Sequence, residues 1–397
     1  MNENKMLEEE KIIFCLNVLA NIGATEKGTK AELEVKINEL LTKVFTSQDV
    51  IDLLDSWKVV WGPAVYQSMM TATLGVFAQG SRSPDNTIYM AQSMTSKNKY
   101  VVAIAGTVNE SWYDWLALDA DIIRTIDWPY GDSSMKSGWI SEGTFNGLTT
   151  LQAVTPTLPG PQKGKSILKA LHDIMKNATD KTQIYITGHS LGGALSAVVA
   201  LWLKDCQVLW DPNNIASIIP HSSAGPTPGN YIFSAYFGRR FEDTEPKRIW
   251  NDKDIVPYPW SSSAFEALYN IYKPHLETPF LATVLIGLIQ FLLTKLKLEY
   301  QQILPDADSL IGKVKIDEKD FLAQVEYQHT LAYIDLLGLQ EVTEAVYKAT
   351  GKKFKDFSPF ASEFFNNAII DPSEKAVDYL RTLRESLTSL PQIHKNR

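Results

Sequence analysis

Cysteine is scarce in this 397-residue chain, which contains two. Cys15 and Cys206 lie far apart and form neither a disulfide framework nor a metal-ligand spacing, so reduced thiols are the expectation. Positive charge is in deficit too. Lys and Arg number 38 against 46 Asp and Glu, a formal charge of -8, and there is no basic run. That balance argues against nucleic acid as a partner and against adhesion to an anionic membrane by charge alone. Long apolar runs are missing. The most apolar stretch, residues 280–293, is interrupted by Thr283 and Gln290 and is too short to span a bilayer comfortably. The amino terminus, MNENKMLEEEK, is acidic where a secretory leader is basic. The apolar stretch after it is broken by Asn17 and Asn21 and has no clear cleavage motif. It therefore reads as the first helix of the folded protein. There is no internal repeat and no low-complexity tract. Hydrophobic content of 45% and charged content of 21% are those of an ordinary soluble globular chain. Its length allows one large domain or two small ones.

What the chain does contain is most informative at residues 184–195, Ile-Tyr-Ile-Thr-Gly-His-Ser-Leu-Gly-Gly-Ala-Leu. A short β-branched and aromatic run comes first. Gly188-His189-Ser190-Leu191-Gly192 follows, and then a helix-forming run. That is the order of a nucleophile elbow: strand, sharp turn carrying the serine, helix. A serine on such a turn adopts a strained backbone, so the residues two places either side must be small. The helix that starts after Ser190 aims its free N–H groups at the place where an oxyanion would form. A bare Gly-x-Ser-x-Gly is equally compatible with a plain strand-to-helix turn. The flanking apolar strand and helix are what favour a nucleophile.

Around this motif the pattern is mixed. Residues 5–61 are helical in pattern, with Leu33, Ile37, Leu40 and Val44 at helical spacing and Ser47 as an N-cap. They are expected to pack on the core as a region spanning 1–62. Residues 87–94 and 100–105 read as a hairpin. A loop-rich stretch runs over 127–164, and a helix near 165–177 leads into the elbow strand. Residues 215–219 and 248–251 are further strands. Strands alternating with helices imply an α/β fold with a mostly parallel central sheet flanked by helices. The catalytic domain is expected over 63–338, with an apolar helical insert near 265–318. A helical region follows over 339–397. The insert's apolar segment, 279–300, fits either a buried core helix or a lid over an acyl-binding groove.

A serine hydroxyl needs a base within hydrogen-bond reach and a third group to orient that base. In this kind of fold they follow in the order Ser, Asp or Glu, then His. His221 breaks the order and His394 sits in a terminal tail, which leaves His329 ahead of His275. For the acid, Asn251-Asp252-Lys253-Asp254-Ile255-Val256-Pro257 follows a strand, where catalytic acids of parallel sheets sit. Asp254 precedes the apolar turn that would bury it, whereas Asp252 reads as a solvated turn residue.

With these residues in place, the chain resembles the class 3 lipases, the fungal-lipase-like branch of the α/β-hydrolases, over residues 87–335. The Gly-His-Ser-Leu-Gly-Gly segment is similar to that family's nucleophile motif. Residues 251–257 resemble its acid segment, and His329 with Tyr333 its base segment. Ala105-Gly106-Thr107, followed by Asp114-Trp115-Leu116 and Asp119, resembles the segment that supplies an oxyanion donor. Gly225-Pro226-Thr227-Pro228-Gly229-Asn230 is similar to its Gly-x-Pro-Arg-x-Gly-Asn turn. The resemblance implies Ser190 as nucleophile, Asp254 as acid and His329 as base. Thr107 and Leu191 are the implied oxyanion donors. It implies a serine ester hydrolase acting on lipid or other acyl esters, with transient contact at a lipid interface and no metal or organic cofactor. The family commonly carries Arg where Ala105 and Thr227 stand and His near Ser141, so the chain departs from its pattern at residues that brace the loops rather than perform the chemistry, and substrate class and loop geometry stay open. A membrane-active phospholipase, including one exported as a toxin, an acyltransferase and a non-catalytic binding protein on the same scaffold are the alternatives.

Overall fold

Residues 7–67, 83–106 and 122–357 are described by the computed structural model of the protein. The centre is a six-stranded sheet in the order β1-β2-β3-β6-β7-β9. β1 (Trp57–Tyr66), β2 (Asn86–Ser93) and β3 (Lys99–Ile104) form an antiparallel meander at one edge. From β3 the sheet runs parallel through β6 (Thr182–His189), β7 (Ala216–Ser223) and β9 (Lys247–Ile249). Parallel strands need covered crossovers and two covered faces, and the strands' alternating side chains supply both. Tyr89, Ala91, Val101, Ala103, Tyr185 and Ile219 face one layer, and Ile88, Met90, Val102, Ile184, Ile186 and Ile218 the other.

The first layer begins with the amino-terminal helices. Helices α1 (Glu9–Val18), α2 (Lys30–Thr46) and α3 (Gln48–Leu54) pack there. The second layer holds α4 (Glu142–Ala153), α5 (Ile167–Met175), α6 (Leu191–Asp205) and α7 (Tyr231–Arg240). A second, four-stranded sheet has the order β10-β8-β5-β4. Its strands are β4 (Thr125–Asp127), β5 (Trp139–Ser141), β8 (Gly229–Asn230) and β10 (Tyr300–Gln301). Beyond it lie α8 (Ser262–Leu268) and α9 (Phe280–Leu296). The chain returns to the first layer through α10 (Phe321–His329), α11 (Leu331–Leu337) and α12 (Gln340–Thr350).

Two expectations need correction. The helical reading of residues 5–61 stops at Leu54, and Trp57–Tyr66 is the edge strand β1. A boundary at residue 62 therefore falls inside a strand. The run Trp57-Lys58-Val59-Val60-Trp61 is rich in β-branched and aromatic side chains that favour a pleated surface. The stretch 127–164 is also not all loop. Ser141 caps α4 by accepting from the Thr144 amide at 3.1 Å, and Gly147 lets that helix lie against Leu195 of α6. Thr and Gly depress intrinsic helix propensity there, and tertiary packing overrides it.

The terminal layer is tied to the sheet by an ion pair whose carboxylate is buried. Glu34 is fully buried and lies 2.9 Å from the Lys30 ammonium. Its carboxylate accepts from the amides of Val65 at 3.1 Å and Thr157 at 2.6 Å. Lys30 donates to the carbonyls of Val65 and Thr155, each at 2.8 Å. Glu34→Ala would leave the buried Val65 amide and the part-buried Thr157 amide without their acceptor, and is expected to cost roughly 2 kcal/mol. Urea unfolding of wild type and variant measures it, and an unchanged midpoint would contradict this account.

Candidate active site

Ser190 sits between the end of β6 and the start of α6 with φ 62° and ψ −129°. A non-glycine residue tolerates that conformation only when its surroundings over-determine it. They do so by close backbone packing. A Cβ on Gly188 would collide with the Gly192 carbonyl, and one on Gly192 with the Ile104 carbonyl. One on Gly193 would collide with the Ser223 carbonyl. The turn is also held by hydrogen bonds: the Ser190 amide donates to the Ser223 carbonyl at 3.1 Å, and the Gly193 amide to the Ser190 carbonyl at 2.8 Å. Leu191 is the first residue of α6, so its N–H has no intrahelical acceptor and points out of the helix end beside Ser190.

Asp254 and His329 come together from 75 residues apart, with His329 Nδ1 and Asp254 Oδ2 at 2.8 Å and both side chains buried. The acceptor is a carboxylate, so Nδ1–H donates and the Nε2 lone pair is the basic atom of the ring. The Tyr333 hydroxyl donates to the same Oδ2 at 2.8 Å and accepts from the Asn251 amide at 3.1 Å. The Val256 amide donates to Oδ1 at 3.0 Å. Burial, and then the Asp254 charge, push the Tyr333 phenol well above its ordinary value, so it remains a donor. Asp252 is engaged elsewhere, accepting from the Gly312 amide at 2.6 Å and pairing with Lys253 at 3.0 Å. His275 is exposed in the loop before α9.

His189 joins the nucleophile turn to the histidine. Its Nε2 lies 2.7 Å from the His329 carbonyl oxygen, which can only accept, so Nε2–H is the donor. Burial holds this imidazole down at about 3, and the neighbouring His329 adds to the effect. The ring is therefore neutral through the ordinary range. Gly106 lies against the same turn, where an added Cβ would stand 3.3 Å from Ser190 Cβ. Thr107, the other implied oxyanion donor, and residues 114–119 lie outside the described residues. Of the positions where the family pattern is missing, Thr227 braces the loop beyond the acid. Its hydroxyl donates to the Pro259 carbonyl at 2.7 Å and accepts from the Trp260 amide at 3.2 Å.

The class 3 lipase family model matches residues 76–261. The match covers just under half of the chain and includes Ser190 and Asp254. The solved M37 lipase is similar to it over 92% of this chain and 100% of its own, at 28% identity and a TM-score of 0.76. Lipase II from Rhizopus niveus matches at 16% identity and a TM-score of 0.41, over 65% of this chain and 78% of its own. A Rhizomucor miehei triacylglyceride lipase matches at 14% and 0.41, over 65% and 77%. None of the curated proteins matches the chain. The enzyme is thus a lipase-type serine ester hydrolase of the α/β-hydrolase fold, and the likeness to M37 lipase extends beyond the family segment into the helical flanks.

Residues His189 and Asn251, and Phe14 of α1, which meets the His189 ring, carry no role in the sequence motifs. No local signal marks such residues, because their partners lie far away in the chain.

The enzyme also buries His221, whose imidazole burial pushes down to about 4. An ordinary histidine titrates near 6.5. As pH falls from about 6.5 toward 4, the unfolded chain takes up protons that folded His189 and His221 refuse, so stability declines. Unfolding free energies measured from pH 7 to pH 4.5 are expected to fall, and His221→Leu is expected to flatten the slope. An unchanged slope in that variant would remove His221 from the account.

Proposed function

We propose that the enzyme hydrolyses lipid esters through an acyl-enzyme on Ser190. The observation that carries this reading is the buried 2.8 Å contact between Asp254 and His329, tied to the turn of Ser190 by the 2.7 Å His189 hydrogen bond. In this mechanism the hydroxyl of Ser190 attacks the ester carbonyl while His329 Nε2 takes its proton. Asp254 holds the tautomer and stabilises the imidazolium that forms. The tetrahedral oxyanion is bound by the Leu191 N–H at the start of α6 and by the second donor that the family resemblance assigns to Thr107. His329 returns its proton to the leaving alkoxide. Water then attacks the acyl-enzyme, again with His329 as base, and releases the acid.

A lipid substrate is supported by the outer face of α9. Phe280, Val284 and Phe291 share one side of this helix and are 84%, 44% and 61% exposed. Ile289, Leu292 and Leu293 are buried, and the helix packs by that face on Trp260, Phe265 and Tyr272. The helix thus anchors one apolar face and presents another, the arrangement of a segment that meets an acyl phase. Among the described residues, no helix is long and apolar enough to cross a membrane.

Ser190→Ala is expected to abolish hydrolysis of chromogenic acyl esters while the circular dichroism spectrum is unchanged. Asp254→Asn is expected to lower kcat by about 10⁴-fold, and Asp252→Asn to leave it within a few-fold. Equal losses in the two aspartate variants would overturn the acid assignment. A second test addresses the substrate. Phe280→Ser with Phe291→Ser should depress turnover of emulsified long-chain esters and spare soluble short ones. Equal rates on both classes would remove α9 from substrate or interface contact.

A further inference from the structure

The amino-terminal helix α1 lies outside the segment that the family model matches, yet it reaches the site from behind the sheet. Phe14 is buried and stands between two rings of the site. It stacks on Tyr333 at 6.0 Å between centroids with planes 17° apart, and meets His189 edge-on at 6.3 Å. Those two rings in turn pack edge to face at 5.1 Å. One turn further along α1, the Asn17 amide donates to the Ser223 hydroxyl at 2.9 Å, across 206 residues of chain. Ser223 Oγ lies 3.0 Å from the Gly188 carbonyl and 3.4 Å from His189 Nδ1. Because Asn17 occupies an acceptor direction of that hydroxyl, its single proton is aimed at the elbow. The contacts therefore run from α1 through Ser223 and His189 to the His329 carbonyl, and from Phe14 through Tyr333 to Asp254.

We propose that two residues of α1, Phe14 and Asn17, are positioning residues that set His189 and Tyr333, and through them His329 and Asp254, against the turn of Ser190. The inference rests on the assignment of Ser190, Asp254 and His329 made above. Neither residue touches substrate. Their effect is on geometry, where a displacement of about 1 Å costs on the order of 10²-fold in rate. Phe14→Leu keeps an apolar side chain of similar bulk but loses the flat face and edge that align two rings. Asn17→Ala releases the hydroxyl of Ser223.

The test compares Phe14→Leu and Asn17→Ala with Leu16→Ala, a buried neighbour on the same helix that serves as the packing control. Each full-length variant is assayed on a soluble short-chain ester for kcat and KM separately, and for the rate at which a fluorophosphonate labels the serine. Unfolding midpoints are measured alongside. The expected result is a loss of ~10-fold or more in kcat and in labelling rate for Phe14→Leu and Asn17→Ala, with KM unchanged. Leu16→Ala should lower the unfolding midpoint and leave kcat of the folded enzyme intact. If Phe14→Leu does not fold, Asn17→Ala alone decides. Wild-type kcat and labelling in the folded variants, or equal kcat losses in Leu16→Ala, would overturn the proposal. Retained activity in Ser190→Ala would instead overturn the underlying assignment, so the two failures are told apart.

Discussion

The whole arrangement depends on how closely the start of α6 approaches the strands beneath it. Gly188, Gly192 and Gly193 leave no room for a Cβ because the carbonyls of Gly192, Ile104 and Ser223 occupy that space. This contact locks Ser190 at φ 62°, a conformation that costs of order 1–3 kcal/mol for a residue with a side chain. The turn is held because β3 and β7 flank β6 in parallel register along its length. Strain at one residue is thus supported by a sheet that runs through the middle of the molecule.

The same sheet explains why the remaining groups converge. Parallel strands end on one side, and the loops leaving those ends meet there. Ser190 follows β6, the Asp254 loop follows β9, and Gly106 follows β3. His329 ends α10 and enters from the insert side. Its place is set by Asp254 and His189, one hydrogen bond to the ring and one to the main chain. The buried groups of this cluster satisfy one another. Asn251, for example, donates to both the main-chain and side-chain oxygens of Gln328. Such networks specify one geometry because any partly made version leaves a buried polar group unpaired.

The helical flanks do two different things. The amino-terminal helices and α11 and α12 form a hydrophobic layer with one face of the sheet, and that layer carries Phe14 and Tyr333 up to the site. The insert builds a separate apolar cluster around Trp260, Phe265, Tyr272 and Leu293, and leaves the outer face of α9 uncovered. One flank is thus in contact with residues of the candidate site, and the other leaves an apolar face exposed.

Much of this was legible in the chain itself. The elbow could be read because strand, glycines and serine are contiguous, so local sterics alone demand that order. The helical spacing of α2 and the alternation of β2 and β3 are local periodicities, and they too were readable. Chain order and loop context single out Asp254 and His329 as candidates for the acid and base, and narrow the choice without giving a distance. Other features had no local signature. Strands of two or three residues, such as β8 and β10, carry no periodicity, and α4 is held by packing against Leu195 rather than by propensity. The 2.8 Å approach of Asp254 to His329, the desolvation that keeps His189 neutral, and the contacts of Phe14 and Asn17 exist only when residues as much as 206 positions apart meet. Sequence by itself determined the covalent order and the local backbone that can carry a nucleophile. Tertiary structure alone decided which groups share a low-dielectric pocket, because burial and hydrogen-bond distance are properties of the assembled layers.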